Sequence, residues 1–438
     1  MAAISAAIYS WASYIRKTSE KCRGFKNVNA VINLCKVWLT LAQPVVDMKV
    51  IFTTHYSGWG GANKALLQMI LWLRRKYGVE ALVLMASKGP FAEELENAGV
   101  KYENVPFSAW RGDYTGFKKC VEAFKFTLRS MFYAVLLAIR YRKMGFDIVH
   151  GNSSLTGFAY FLSRTMRLPL VWHQRENCEF VYHGEYFYGK WIAGRMVGQA
   201  DRVIVISDFI GDYYRAFVMP SANIVRIYDG VEPGDLEMDD EPEHIAGINA
   251  DEFNVCMVGG VSEGKNQLEV LKALACLKKD GKIDGLKFHI IGGERVETGY
   301  GKVLSEFIRD NGLDGYVVFH GVQRNVGYFY RKMDVSICAS KGEGFGLVVV
   351  EAMMCGTPMI VNDQGALPEL VKDGVHGYVY HLGKPQELAE AILKVKGGGL
   401  GPGIRDRVKE YALRNFSAER NADEVYALYK RVLGRCQA

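Results

Sequence analysis

No stretch of this 438-residue chain stays apolar long enough to cross a bilayer. The longest clean run, Met131 to Ile139, has nine residues, against the ~20 that a spanning helix needs. The nine cysteines contain no Cys-x-x-Cys pair, and their number is odd. Several lie inside apolar runs, such as Cys256 in Val255-Cys256-Met257 and Cys338 in Ile337-Cys338-Ala339. That pattern points to reduced, buried thiols in a cytoplasmic protein and away from a disulfide framework or a zinc site. Asp-x-Asp triplets are absent, so no metal bound through such a triplet is expected. Charged residues are not in excess at 23%, and hydrophobic residues reach 49%. A largely disordered or fibrous chain is excluded on both counts.

What is present is enough chain for two to three domains at roughly 150 residues each. Its charge is uneven. Residues 1–232 hold 29 Lys and Arg against 18 Asp and Glu, a net +11, whereas residues 233–438 carry a net −5. A basic half beside an acidic one suggests an anionic surface or substrate on the first half. Residues 1–47 read as an N-terminal extension, either an amphipathic anchoring segment or, equally, a helical extension packed on the body. Its Arg16, Lys17, Lys21, Arg23 and Lys26 follow the apolar start, the reverse of a secretory signal.

From Met48 a strand–helix rhythm begins. Strand candidates are Lys49–Thr54, Ala81–Ala86, Asp147–His150, Leu170–His173, Arg202–Ile206 and Val225–Tyr228. Turn signals at Asp229-Gly230 and Pro233-Gly234, with an acidic stretch to Glu243, mark 233–251 as a linker. The rhythm then restarts with Phe253–Val258, Lys287–Ile291, Tyr316–Phe319, Asp334–Cys338, Met359–Val361 and Tyr378–Tyr380. Near-continuous apolar strands separated by helices predict parallel sheets covered on both faces. The expected fold is therefore α/β: two doubly wound Rossmann-like domains, 48–232 and 252–403, facing a central cleft. A helix within 404–438 is expected to cross back to the first domain. Ligands in such sheets sit beyond the carboxyl ends of the strands.

The richest segment is Ser340-Lys341-Gly342-Glu343-Gly344-Phe345-Gly346-Leu347, running into a helix that holds Glu351 and stops at Cys355-Gly356-x-Pro358. Strand, Gly-rich loop and helix N-terminus make an anion site, because the backbone N–H groups and the helix dipole favour negative charge. Glu343 and Glu351 bracket that loop. Carboxylates do not help bind phosphates, but they accept hydrogen bonds from sugar and ribose hydroxyls. The combination suits a sugar nucleotide.

The pattern Glu343-x7-Glu351 within S-x-x-E-G-F-G-L-x-x-x-E-A-M-x-x-G-x-P resembles the GT4 family of retaining glycosyltransferases, which have the GT-B fold. The likeness spans about residues 48–434. Gly60-Gly61-Ala62 looks like the family's N-terminal glycine loop, and Val258-Gly259-Gly260 through Lys265-Asn266-Gln267 looks like its donor-phosphate loop. Ile290-Ile291-Gly292-Gly293, Phe319-His320-Gly321, Leu367-Pro368-Glu369-Leu370 and Gly374-x-x-Gly377-Tyr378 agree in order. The resemblance implies that Lys265 contacts the donor diphosphate, Glu343 holds the transferred sugar and Glu351 holds the ribose. Gly344, Phe345, Gly346 and Leu347 would present backbone to the donor. It also implies a UDP-sugar or GDP-sugar co-substrate, no required cofactor, and retention of anomeric configuration by front-face attack.

Two positions depart from the family. Gly260 stands where Arg is usual, and Arg175, in His173-Gln174-Arg175-Glu176, is the candidate replacement cation. Asp229 stands where Asn is more usual and reads as a turn residue. His150 and His173 end strands and, by strand polarity, would point into the cleft as catalytic candidates. His55, Gly60, Gly61 and Asn152 are the acceptor-side candidates.

The stretch Phe117–Lys143 carries seven Lys and Arg with only Glu122 opposing. It reads as a basic interfacial helix pair or, equally, as a solvated basic face. No base-stacking or groove-reading motif accompanies the charge, so nucleic acid is not an expected partner. The expected protein transfers a sugar from a nucleotide donor to a hydroxyl of a glycan or lipid-linked acceptor. It would be cytoplasmic, and peripheral on the inner face of the membrane. Two alternatives stay open: a sugar-nucleotide epimerase or hydrolase of the same fold, and a non-catalytic nucleotide-sugar-binding scaffold.

Overall fold

The computed structural model describes residues 48–434 apart from 56, 177–184, 219–222, 238–246 and 294–298. The extension 1–47, the middle of the 233–251 linker and the last four residues lie outside the described residues, as do Cys22, Cys35, Cys178 and Cys436.

The first half contributes strands β1 (Met48–Thr54), β2 (Val79–Met85), β3 (Lys101–Asn104), β4 (Arg111–Gly112), β5 (Ile148–Gly151), β6 (Leu170–Gln174), β7 (Glu185–Tyr186), β8 (Arg202–Val205) and β9 (Ile224–Arg226). Seven of them form one sheet in the order β3-β2-β1-β5-β6-β8-β9, and its pairings are parallel. The second half contributes β10 (Phe253–Val258), β11 (Leu286–Ile291), β12 (Val317–Phe319), β13 (Val335–Cys338), β14 (Met359–Asn362) and β15 (Gly377–Tyr380). These make a six-stranded parallel sheet, β12-β11-β10-β13-β14-β15. The chain is thus α/β with two Rossmann-like domains. Central strands such as β1 and β5 are apolar and buried on both faces, which is what helices on each side of a parallel sheet require.

The sequence pattern missed β3 and the antiparallel β4–β7 pair. β3 is an edge strand of Lys-Tyr-Glu-Asn with no buried residue, so it has no apolar run to read. The C-terminal segment, expected as one helix, is two: Ile404–Phe416 and Ala418–Val432. Ser417 breaks it by adopting extended backbone and capping the second helix through Oγ to the Arg420 N–H. The second helix buries Ala422, Val425, Leu428 and Tyr429 in the same core as Val50, Ile148, Val171 and Ile204 of the first sheet.

Within each sheet the strand order reverses direction at one point, between β1 and β5 and between β10 and β13. At such a point the loops leaving the two neighbouring strands diverge and open a crevice. In the second domain these loops are 259–266 and 339–346, the two that carry Lys265 and Glu343.

Candidate functional site

The second-domain loops are shaped by close backbone approach. A Cβ on Gly292 would lie 2.1 Å from the Gly259 carbonyl oxygen, so the β10 and β11 loop starts touch backbone to backbone. Gly346 opens the Leu347–Met354 helix at φ 105°, a left-handed value that favours glycine. Lys265 Nζ stands 2.5 Å from Glu343 Oε1. Burial works against the lysine's charge, but the Glu343 carboxylate outweighs it and the Lys265 pKa is raised. Gly260 has open space where a Cβ would project. The missing Arg side chain there is therefore not a steric requirement of the loop.

The 340–347 loop is also clamped by the first domain. Ser207 Oγ donates to the Gly344 carbonyl at 2.6 Å, and a Cβ on Gly344 would press on the Arg175 carbonyl at 2.9 Å. Phe345 turns its ring into the core against Tyr228 and Phe416, leaving its backbone to the loop. Glu369 accepts hydrogen bonds from the N–H groups of Asp208 and Phe209, both at 2.8 Å, at the start of the Asp208–Arg215 helix. On the opposite wall, Gly60 precedes the Gly61–Tyr77 helix and accepts from the Asn63 and Lys64 N–H groups. A Cβ on Gly61 would come within 3.0 Å of Leu347 Cδ1, so the N-terminal glycine loop abuts the Leu347–Met354 helix. Lys64 Nζ reaches across to Glu351 Oε1 at 2.8 Å. His55, at the end of β1, is pushed down to about 4 by burial and is neutral.

Several residues read as cleft-facing are placed differently. His150 is fully buried, with its Nδ1 2.7 Å from the Tyr429 hydroxyl and its ring against Phe52. Strand side chains stand perpendicular to the sheet, and that of His150 enters the face covered by the Ala418–Val432 helix, not the strand end. His173 packs edge-on to it and is equally buried. Both are held neutral, first by burial and then by the nearby Arg175 charge; His150 falls to about 3. Neither lines the cleft. Arg175 is committed to an internal network: its NH1 pairs with Asp229, and its Nε donates to Asn152 Oδ1 at 2.8 Å. Asn152, read as an acceptor contact, is buried and holds Arg175 through its Oδ1. Asp229 is the buried counter-ion of Arg175, where the sequence suggested only a turn. Burial raises its pKa against the opposing pull of Arg175.

Glu176, Lys64 and Ser207 were not singled out from sequence. Glu176 is buried and accepts from the Ser154 N–H and hydroxyl; burial raises its pKa. A polar cluster after an apolar strand was the available signal for Glu176. Lys64 and Ser207 carry no local signal, because their partners lie 287 and 137 residues away. Among the described residues no three His, Cys, Asp or Glu side chains gather as a metal site.

Two family models match consecutive parts of the chain: a glycosyl transferase 4-like domain over residues 60–230, and glycosyl transferases group 1 over residues 239–414. The D-inositol 3-phosphate glycosyltransferase of Mycobacterium tuberculosis is 28% identical over 409 residues, covering 86% of this chain and 80% of its own. An uncharacterised glycosyltransferase of Methanocaldococcus jannaschii is 25% identical over 309 residues, covering 66% of this chain and 76% of its own. Among solved structures, Anabaena HepE in complex with UDP superposes with a TM-score of 0.72 at 22% identity, over 88% of this chain and 100% of that one. These neighbours have the GT-B arrangement of two Rossmann-like domains.

Proposed function

Because the chain is a GT4-like glycosyltransferase, we propose that it transfers a sugar with retention of configuration from a UDP-sugar to a hydroxyl of a glycan or lipid-linked acceptor. The observation that carries the donor site is the Lys265–Glu343 pair beneath the N-terminus of the Leu347–Met354 helix, with Glu351 on that helix. UDP as the donor nucleotide rests on Anabaena HepE, solved with UDP and with UDP-glucose.

The chemistry follows from charge. Free N–H groups at the helix start, the dipole behind them and Lys265 face the place where leaving-group charge develops on the diphosphate. The Glu343 carboxylate pairs with the Lys265 ammonium. A bound diphosphate competes for the ammonium, which releases the Glu343 carboxylate to accept hydroxyls of the transferred sugar. Glu351, on the next turns of the same helix, accepts the ribose hydroxyls. The acceptor hydroxyl attacks the face of the anomeric carbon from which the diphosphate leaves, and its proton passes to a donor phosphate oxygen. Retention needs no protein nucleophile in that geometry.

Mass spectrometry of products from a panel of UDP- and GDP-sugars, incubated with a native membrane fraction, tests the reading. A glycosylated product from a UDP-sugar with the donor's anomeric configuration is expected. Free sugar released at the same rate without acceptor would indicate the hydrolase, and donor binding with no turnover the scaffold.

A further inference from the structure

The Gly116–Tyr141 helix has two apolar faces where a surface helix has one. Phe126, Ser130, Ala134, Leu137 and Tyr141 are buried in the first-domain core. On the opposite side of the helix Phe117, Phe124, Leu128, Met131, Val135 and Ile139 form a second stripe, at spacings of three, four and seven residues, all exposed. Phe117 is 85% exposed and Ile139 64%. At 1.5 Å per residue the stripe, from Phe117 to Ile139, runs about 33 Å. Along one flank lie Lys118, Lys125, Arg129 and Arg140, with Arg142 and Lys143 just past the end; Glu122, the one acid in the helix, is paired with Lys125. Trp191 and Ile192 add exposed apolar surface on the neighbouring Gly189–Gly198 helix, whose preceding Tyr188 bonds to Thr127.

We propose that this face docks on an anionic lipid bilayer, with the helix lying in the plane of the interface. An isolated apolar stripe of this length is a docking surface of some kind, and the flanking cation row selects the partner. Ammonium and guanidinium groups beside an exposed apolar stripe match acyl chains beneath anionic headgroups. A second copy of the chain would set the same cations against each other. No helix among the described residues is long and apolar enough to cross a membrane, so the contact is superficial. The helix is entered from Trp110, whose indole N–H donates to the Ser154 carbonyl just beyond β5 and whose ring stacks on Trp172. Its first turn therefore lies at the carboxyl edge of the sheet, the edge that borders the cleft. Docking there would bring a membrane-linked acceptor hydroxyl to the site, which deepens the transfer reading and rests on it.

The test is vesicle flotation of the full chain with phosphatidylcholine alone and with 30% phosphatidylglycerol, at low and high salt. Binding to the anionic vesicles, weakened by salt, is expected. Each cation near the surface contributes about fivefold in partitioning, so K118Q/K125Q/R129Q should lose on the order of 100-fold. The exposed apolar variant L128S/V135S/I139S should lose more than tenfold. Both variants should keep the wild-type melting temperature and UDP affinity, because none of these side chains is buried or in the donor site. Equal recovery on neutral and anionic vesicles, or undiminished binding by both variants, overturns the proposal. So does a lipid-free wild-type dimer that the apolar variant converts to monomer. A wild-type chain that floats but binds no UDP-sugar would leave docking standing and remove the transfer reading.

Discussion

Lys64, on the first helix of the first domain, pairs at 2.8 Å with Glu351, on the helix that follows the 339–346 loop of the second domain. The pair joins the walls of the cleft and fixes one carboxylate oxygen of the residue assigned to the ribose. Burial works against the Lys64 charge, but Glu351 and Asp235 together outweigh it and the Lys64 pKa is raised. The lysine therefore stays charged at neutral pH. Lys64→Met should raise KM for the nucleotide sugar by about tenfold with a smaller change in kcat, a charge-assisted hydrogen bond being worth about 1.5–3 kcal/mol. Lys64→Arg should restore most of it. Steady-state kinetics decide; an unchanged KM would mean that the pair is only a strut between domains.

Glu343→Gln should lower kcat/KM by about 100- to 1,000-fold, from roughly 2–4 kcal/mol of lost transition-state stabilisation. The neutral amide no longer draws Lys265, so UDP affinity, read by calorimetry, should hold or improve. Activity within a few-fold of wild type would remove Glu343 from the sugar site.

Arg175→Met separates two roles for the buried guanidinium. Its removal leaves Asp229 without a counter-ion, and breaking such a buried pair costs about 3–5 kcal/mol. Denaturant unfolding should show that loss, and the double variant Arg175→Met, Asp229→Asn should recover part of it. A fall in donor affinity with stability intact would instead place Arg175 on the diphosphate.

Acid should destabilise the fold in a defined window. His150, His173 and His289 are fully buried, and burial lowers all three, His150 to about 3 and His289 to about 4. Once unfolded they titrate near 6.5. Their folded values are depressed, so their contribution is complete above pH ~6.5 and is lost as pH falls from there toward 4. Each contributes a slope of about 1.4 kcal/mol per pH unit. The raised carboxyls of Asp229 and Glu176 act in the opposite sense and are outnumbered. Denaturant midpoints at pH 7 and pH 5.5 check this; a higher midpoint at pH 5.5 would contradict it.

Transfer should continue in excess EDTA. In the proposed donor site the positive field at the diphosphate would come from Lys265 and a helix N-terminus, and the chain has no Asp-x-Asp triplet. Reversible loss of activity, restored by manganese or magnesium, would refute that account.

The strand rhythm, the two-sheet α/β class and the Glu343-to-Glu351 loop were legible in the sequence because each depends on neighbours within a few residues. Alternating apolar runs and helices dictate parallel sheets, and a Gly-rich segment before an apolar run dictates a tight turn into a helix, whatever the rest of the chain does. Edge strand β3 was not legible, because a strand with no buried face carries no apolar period. The single C-terminal helix was misread because its break at Ser417 is held by a distant partner, Val231, which bonds to the Phe416 and Ala418 backbone. The fates of His150, Arg175 and Lys64 were decided only in three dimensions. Strand polarity places His150 at a sheet edge, but the helix that covers that face comes from 279 residues further along the chain. Arg175 offers the same guanidinium to a phosphate or a carboxylate, and only the fold brings Asp229, 54 residues further on, into pairing with it. Sequence alone determines which side chains can do the chemistry; the folded chain decides which of them remain free to do it, because burial and counter-ions are set by residues hundreds of positions apart.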